Sequence, residues 1–425
     1  MPENELLRKK AREADMSFLD YLLQQIDKLE EKTGIRRTLF AACPNSLSVL
    51  RASLLSAKRC NAPIKFAATL NQVDSDGGYT GFTADQFVKT IREESRRINF
   101  TGPVIIAIDH GGPWLKDRHK LERLSYEETM AEVKHSFEEA IDAGYDMIHV
   151  DPTIDITLPE GEIIDVNVVA ERTVELICHC ENYRQKKGYD KIAYEVGTEE
   201  VHGGLADMKV FNRFLEQLKA GLKKEGLEEI WPCFVVGKVG TDLHTTLFDP
   251  DVARELTAAA RAYGSRIKGH YSDSVDNPEA YPKSGMGAAN VGPEFTEREY
   301  DGLIELEGIE KELHRKGKVA RLSAMKAQLW EAVIRSERWT KWLQDGESTS
   351  NFYSIMPERQ EWLIKTGCRY IWENPEVIVA RQKLFHNLAA WGISPEEILT
   401  SHIARAMDRY FYTFNLVNLT KMLSK

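Results

Sequence analysis

Short apolar runs alternate with longer segments of helical period along the first 292 residues. The runs are TLFAAC (38–43), IKFAATL (64–70), VIIAID (104–109), DMIHVD (146–151), KIAYEV (191–196), CFVVGK (233–238), RIKGHY (266–271) and AANVG (288–292). Runs this short and this rich in β-branched residues read as buried strands. Between them lie segments such as TADQFVKTIREESRRI, TMAEVKHSFEEAIDAG and DPDVARELTAAARAYG, with apolar residues at i, i+3 and i+4. Alternating strand and helix gives a parallel sheet with right-handed crossovers. Eight such units predict an α/β fold, a (β/α)8 TIM barrel. An open doubly wound sheet is the alternative, but no G-x-G-x-x-G follows the first strand. The connection between the seventh and eighth strands carries little helical pattern.

The pattern changes after Gly292. Residues 295–425 are rich in Glu, Lys, Leu, Arg and Trp and show no strand signal of comparable strength. TEREYDGLIELEGIEKELHRKG predicts a helix ending at Gly317, and a second helix starts with Ser394 as N-cap and Pro395 at its first position. The chain therefore divides into a barrel with an N-terminal helix (1–294) and a C-terminal helical appendage (295–425). That appendage packs on the barrel or on a partner subunit.

Composition narrows the function classes. A net charge of −10 argues against a nucleic-acid surface. Six cysteines in 425 residues, none in a C-x-x-C pair, fit a reducing compartment. Cys178-His179-Cys180 sits in a helical pattern and reads as core thiols rather than a metal motif. No apolar run approaches the roughly 20 residues that span a bilayer, and the charged N-terminus lacks the apolar core of a signal peptide. The expectation is a cytoplasmic protein with no membrane partner.

Chemistry in a barrel sits where strands end, and polar residues collect there. Strand two leads into Asn71-Gln72, strand three ends in Asp109-His110, strand four carries His149 and Asp151, and strand five holds Glu195. Beyond strand six lies His244, strand seven ends in His270, and strand eight carries Asn290. Five of the eleven histidines fall at or just beyond these ends, counting His202. Neutral imidazoles from three strands can converge on one divalent ion: Zn2+ for three histidines, Mn2+ or Mg2+ if a carboxylate joins. Asp109 and His110 are consecutive, so a regular strand would point them to opposite faces, and a turn is needed for both to line one pocket. Asp109 then reads as a general acid/base or as a group that orients a neighbour. Burial of Glu195 would raise its pKa and suit proton transfer; the alternative is a buried ion pair with a lysine such as Lys238. The turns carrying Ser272, Ser274 and Gly292 offer backbone N–H groups to a phosphate.

NQV-x-x-x-GGYTG (71–81), DH-x-GP (109–113), H-x-D (149–151), VGTE (196–199), His244, H-x-SD (270–273) and NVGP (290–293) occur in this order. Together they resemble the family of class II tagatose-bisphosphate aldolase non-catalytic subunits, GatZ/KbaZ, over nearly the whole chain. The resemblance implies a metal-dependent barrel of class II aldolase type. It makes His110, His244 and His270 the metal ligands and Asp109 the acid/base; Glu195, from its place in the fifth strand, is the candidate for a second acid/base or for orienting a hydroxyl. Asn71, Gln72, Asp151, Ser272, Asp273, Asn290 and Gly292 would bind the substrate, a sugar or sugar phosphate. It implies either a stabilising partner of a class II aldolase catalytic subunit or a ketose 6-phosphate 4-epimerase of the fructose/tagatose type. The chain is also expected to form a homo-oligomer. A kinase reading finds no G-x-x-x-x-G-K-[ST] loop.

Overall fold

The computed structural model describes residues 2–159, 162–197, 204–205, 207–242, 244–348 and 350–424. Eight parallel strands close into a barrel: β1 (Leu39–Ala42), β2 (Ile64–Thr69), β3 (Val104–Gly111), β4 (Met147–Val150), β5 (Ala193–Gly197), β6 (Phe234–Val236), β7 (Arg266–Gly269) and β8 (Ala288–Val291). Each pairs with its sequence neighbours, and Leu39 opposite Ala288 closes the ring. All eight strands fall on the eight apolar runs, because a strand buried on both faces must be apolar almost throughout. The fold is a (β/α)8 barrel.

Helix starts follow local capping. Ser17, Ser46, Thr83 and Ser125 each accept a backbone N–H of the first helical turn, the last two in reciprocal capping boxes with Gln86 and Glu128. The N-terminal segment forms two helices, Glu3–Glu13 and Phe18–Thr33. They lie against the bottom of the barrel, where Arg8 pairs with Asp146 just ahead of β4 at 2.6 Å.

The seventh crossover holds just a five-residue helix, Ala280–Ser284, too short to cover its part of the wall. The C-terminal region fills that gap. Helix Pro395–Thr413 packs on Leu47–Cys60 and on Pro293–Arg315, the helix that follows β8. Its Tyr410 stacks on Phe40 of β1 at 5.4 Å, and Phe414 lies 5.4 Å from Tyr281. Leu399, Ile403, Met407, Tyr410 and Phe411 are buried in the same apolar core as the strands. Burial of five such side chains contributes on the order of 10 kcal/mol, so the C-terminal helices are integral to the packing.

No helix of the described residues is long and apolar enough to cross a membrane. All six cysteines are free thiols. Cys180 is buried and Cys178 half-buried, and His179 between them pairs with Glu138.

Candidate active site at the barrel mouth

The Asp109-His110 pair resolves as a local break in β3. His110 has φ +48°, and the register between β3 and β4 slips between Ile108 and Gly111. Such a bulge re-aims a side chain, and it turns both Asp109 and His110 into one site. The two glycines that follow have a steric reason. A Cβ on Gly111 would stand 2.4 Å from the Phe137 ring, and one on Gly112 would stand 2.0 Å from the Asp151 carbonyl oxygen. Close approach of β3 to β4 thus requires residues without side chains.

Asp109, His110, His149 and His270 bring one ligand atom each to within 4.8 Å of one another. The His110 and His270 rings lie 4.2 Å apart, and His110 and His149 4.8 Å. Asp151 Oδ2 sits 2.5 Å from His110 Nδ1, and Thr153 donates to Asp151 Oδ1. A carboxylate on Nδ1 leaves Nε2 as the free nitrogen, the arrangement that orients metal-ligating histidines. His149 Nε2 and His270 Nδ1 are buried without a partner. Burial, with Lys268 and His110 nearby, pushes His270 down to about 3, so its ring is neutral. Burial works against charging His110, but Asp109 and Asp151 outweigh it and raise its pKa. Three histidine nitrogens fit a divalent cation, with the Asp109 carboxylate beside them.

Beneath the histidines runs a buried ionic network. Lys268 donates to Asp109 Oδ1 at 2.9 Å and to Glu195 Oε1, and Lys65 reaches Glu195 Oε2 at 3.3 Å. Asn290 Nδ2 donates to Asp109 Oδ2 at 2.9 Å, and His270 Nε2 lies 3.2 Å from Asp109 Oδ1. Burial alone would raise the Asp109 carboxyl, but Lys268, His270 and His110 hold it well below the usual carboxylate range. Glu195 corrects the sequence expectation of a raised pKa. It is fully buried, yet Lys268 and Lys65 overcome its burial and leave it at about 2. Its ion-pair partners come from β7 and β2, not from Lys238. Sequence reasoning missed Lys65 and Lys268; the signal was a single lysine interrupting each of the runs IKFAATL and RIKGHY.

The other expected site residues are placed as follows. His244 is exposed, its ring 5.2 Å from Trp362, and it is not part of the histidine group. His202 and Glu199 lie outside the described residues. Asn71 and Gln72 line the cavity, but both tie loops together. Asn71 donates to Leu115 O and accepts from Asp117 N, while Gln72 donates to Pro44 O and Asn45 Oδ1. Asp151 contacts His110. Ser272 is fully buried, its hydroxyl unpartnered. Asn290 and Gly292 line the cavity, and the Gly292 N–H donates to Asp273 Oδ1.

A cavity of about 200 Å³ stands over the group, lined by Asp109, His110, His270 and Asn290 on the barrel side. The C-terminal region adds Arg338, Lys341, Trp342, Arg369 and Tyr370 to the lining. The volume suits a small metabolite, not a polymer. A closed barrel whose strand ends gather histidines and an ionised aspartate under a small cavity defines a (β/α)8 protein with a metal-competent mouth.

The family model described as D-tagatose-1,6-bisphosphate aldolase subunit GatZ/KbaZ-like matches residues 23–416. The chain belongs to this family. In solved structures it is similar to a probable tagatose 6 phosphate kinase from Sinorhizobium meliloti 1021, with TM-score 0.74, 21% identity, and 89% of this chain and 100% of that one covered. It is also similar to fructose-bisphosphate aldolase from Campylobacter jejuni, with TM-score 0.53, 12% identity, and 94% and 95% covered. At these identities the likeness is one of fold.

Proposed function

We propose that the protein is a metal-dependent epimerase of a ketohexose or ketohexose 6-phosphate, inverting C4 by retro-aldol cleavage and re-addition. The observation that carries this reading is the placement of an ionised Asp109 within one small group of three histidines, two buried and one half-buried. A protein that acts purely as a stabilising partner has no use for such a group at the mouth of its own cavity.

His110, His149 and His270 would hold a divalent cation, Zn2+ first among the candidates. When bound, it supplies Lewis-acid polarisation of the substrate carbonyl and acidifies a neighbouring hydroxyl. Asp109 accepts the proton of the C4 hydroxyl as the C3–C4 bond breaks and returns it once the rotated aldehyde has been re-added. Three donors, Lys268, Asn290 and His270, fix both carboxylate oxygens of Asp109 and hold it ionised before the proton arrives. Lys268 also supplies the positive charge that keeps Glu195 and Asp109 compatible in one buried space. Glu195, which has no exposed surface, acts by holding Lys268.

The alternative is a stabilising subunit of a class II aldolase, and the family description supports it. The test uses the purified chain alone. Metal content is measured before and after chelation, and turnover of fructose 6-phosphate, fructose and tagatose is followed in both states. Stoichiometric metal with chelator-sensitive conversion supports the epimerase. A chain that binds no metal and converts none of these sugars is the subunit.

A further inference from the structure

The cavity above the histidines has two walls of opposite character. Barrels commonly hold phosphate on the loops after strands seven and eight, yet here those amides are already taken. The N–H groups of Gly292 and Glu294 donate to Asp273 Oδ1 at 2.9 and 2.8 Å. The N–H of Ser274 lies 2.8 Å from Glu294 Oε2 and 2.9 Å from the Tyr410 hydroxyl. Carboxylates of the chain itself occupy the place where an anion would sit, so this wall offers a phosphate nothing.

The facing wall is built the other way. Arg369 is 7% exposed and its Nε donates to Thr366 O at 2.9 Å, but its Nη2 is buried with no acceptor. Trp342 Nε1 and Arg338 Nε are likewise buried without acceptors. All three side chains line the cavity. The Arg369 guanidinium packs 5.1 Å from the Trp342 ring and 5.7 Å from that of Tyr370, which fixes its plane. A buried donor left unmade costs about 1–3 kcal/mol. Three such donors among the cavity-lining side chains, with Asp117 taken up by Arg338 and Lys341, match an oxyanion. Asp117 neutralises one of the two cations it touches, Arg338 and Lys341. The other and Arg369 remain, against Asp273 on the facing wall.

We infer that this C-terminal wall is an anion subsite, centred on Arg369 with Trp342 and Arg338 beside it, that grips the end of the sugar remote from the histidines. A phosphoryl group and a carboxylate share the required chemistry. The inference rests on the proposed sugar substrate, and it makes the C-terminal region a specificity element of the site and not merely a scaffold.

Binding is read by calorimetry on the full, chelator-treated chain, so the result depends on neither metal nor turnover. The probes are fructose, fructose 6-phosphate, inorganic phosphate and a ketohexuronate. Fructose 6-phosphate or the uronate binds at least about tenfold more tightly than fructose, one decade being about 1.4 kcal/mol. Which of the two binds more tightly identifies the oxyanion, and inorganic phosphate competes with it. Arg369→Gln brings the charged sugar to the level of fructose, while Arg369→Lys retains part of the preference. Trp342→Phe keeps an aromatic face, removes one donor, lowers the preference several-fold, and serves if Arg369→Gln fails to fold. Equal binding of charged and uncharged sugars, or a preference untouched by these variants, would overturn the inference. Loss of epimerisation with the preference intact would sink the proposed reaction and spare the subsite.

Discussion

Lys268 on β7 donates to Asp109 on β3 at 2.9 Å across the interior of the barrel, and the same ammonium holds Glu195 on β5. This bond sets the charge state of the mouth. With His270 and His110 it holds Asp109 ionised against a burial that works in the other direction.

Asp109→Asn tests the acid/base role. The amide can still be placed by Asn290 and Lys268 but cannot take a proton. Turnover falls by about 10² to 10⁴, while metal content measured by elemental analysis stays at the wild-type level. Loss of metal and activity together would make Asp109 a ligand instead.

Lys268→Met leaves two buried carboxylates facing each other with Lys65 as the remaining cation. Removing one partner from a buried network costs about 3–5 kcal/mol. Urea denaturation should show a loss of this size, and adding Glu195→Gln should recover part of it. A neutral outcome for Lys268→Met would mean that the network carries no net stability.

The metal set divides the histidines. His149→Ala lowers metal affinity, whereas His244→Ala, altering an exposed side chain on Trp362, leaves it unchanged. Asp151→Asn frees the His110 ring and weakens metal binding about 10- to 100-fold. Competition against a fluorescent chelator reads all three. Metal loss in His244→Ala with none in His149→Ala would mean that the loop carrying His244 folds over the mouth on binding.

Asp273 gives a pH dependence. Its pKa is raised to about 7, chiefly by burial and then by Glu294, although the N–H groups of Glu294 and Gly292 and the nearby Arg369 work against the rise. An unfolded aspartate titrates near 3.9. Below that value both states are protonated and the stability contribution is fully present. As pH rises the unfolded chain ionises first, so stability falls and the loss is complete above about 7. Asp273→Asn keeps an acceptor for the two amides and cannot ionise. It should raise the melting temperature by about 2–4 °C at pH 8 and by nothing measurable at pH 4. An equal effect at both values would show that the carboxyl does not titrate there.

The barrel was legible because each of its strands is an apolar run closed off by glycine, proline or polar residues, and because the strand ends carry histidines at a density that packing alone does not ask for. The Asp109-His110 pair was legible as a candidate, and so was the need for a turn there; that the turn is a bulge with a positive φ at His110 was not, because it leaves no mark in composition. The two lysines inside strands were visible as interruptions, but their partners were not, since Lys65, Glu195 and Lys268 lie on strands far apart in sequence. The raised pKa expected for Glu195 failed for that reason. The basic wall from the C-terminal region was invisible. Arg338, Trp342 and Arg369 stand in an ordinary charged helical segment, and nothing local tells that it closes over a cavity built by strands far earlier in the chain.

The measurement that tests the account most directly follows fructose 6-phosphate by NMR in D2O with the purified, metal-loaded chain and no second protein. The account predicts chelator-sensitive appearance of the C4 epimer with no deuterium on carbon, because C3–C4 cleavage and re-addition leave every C–H bond intact. Deuterium at the carbon beside the carbonyl would replace the retro-aldol route with proton abstraction. A metal-loaded chain that leaves the sugar unchanged would contradict the proposed reaction with this substrate.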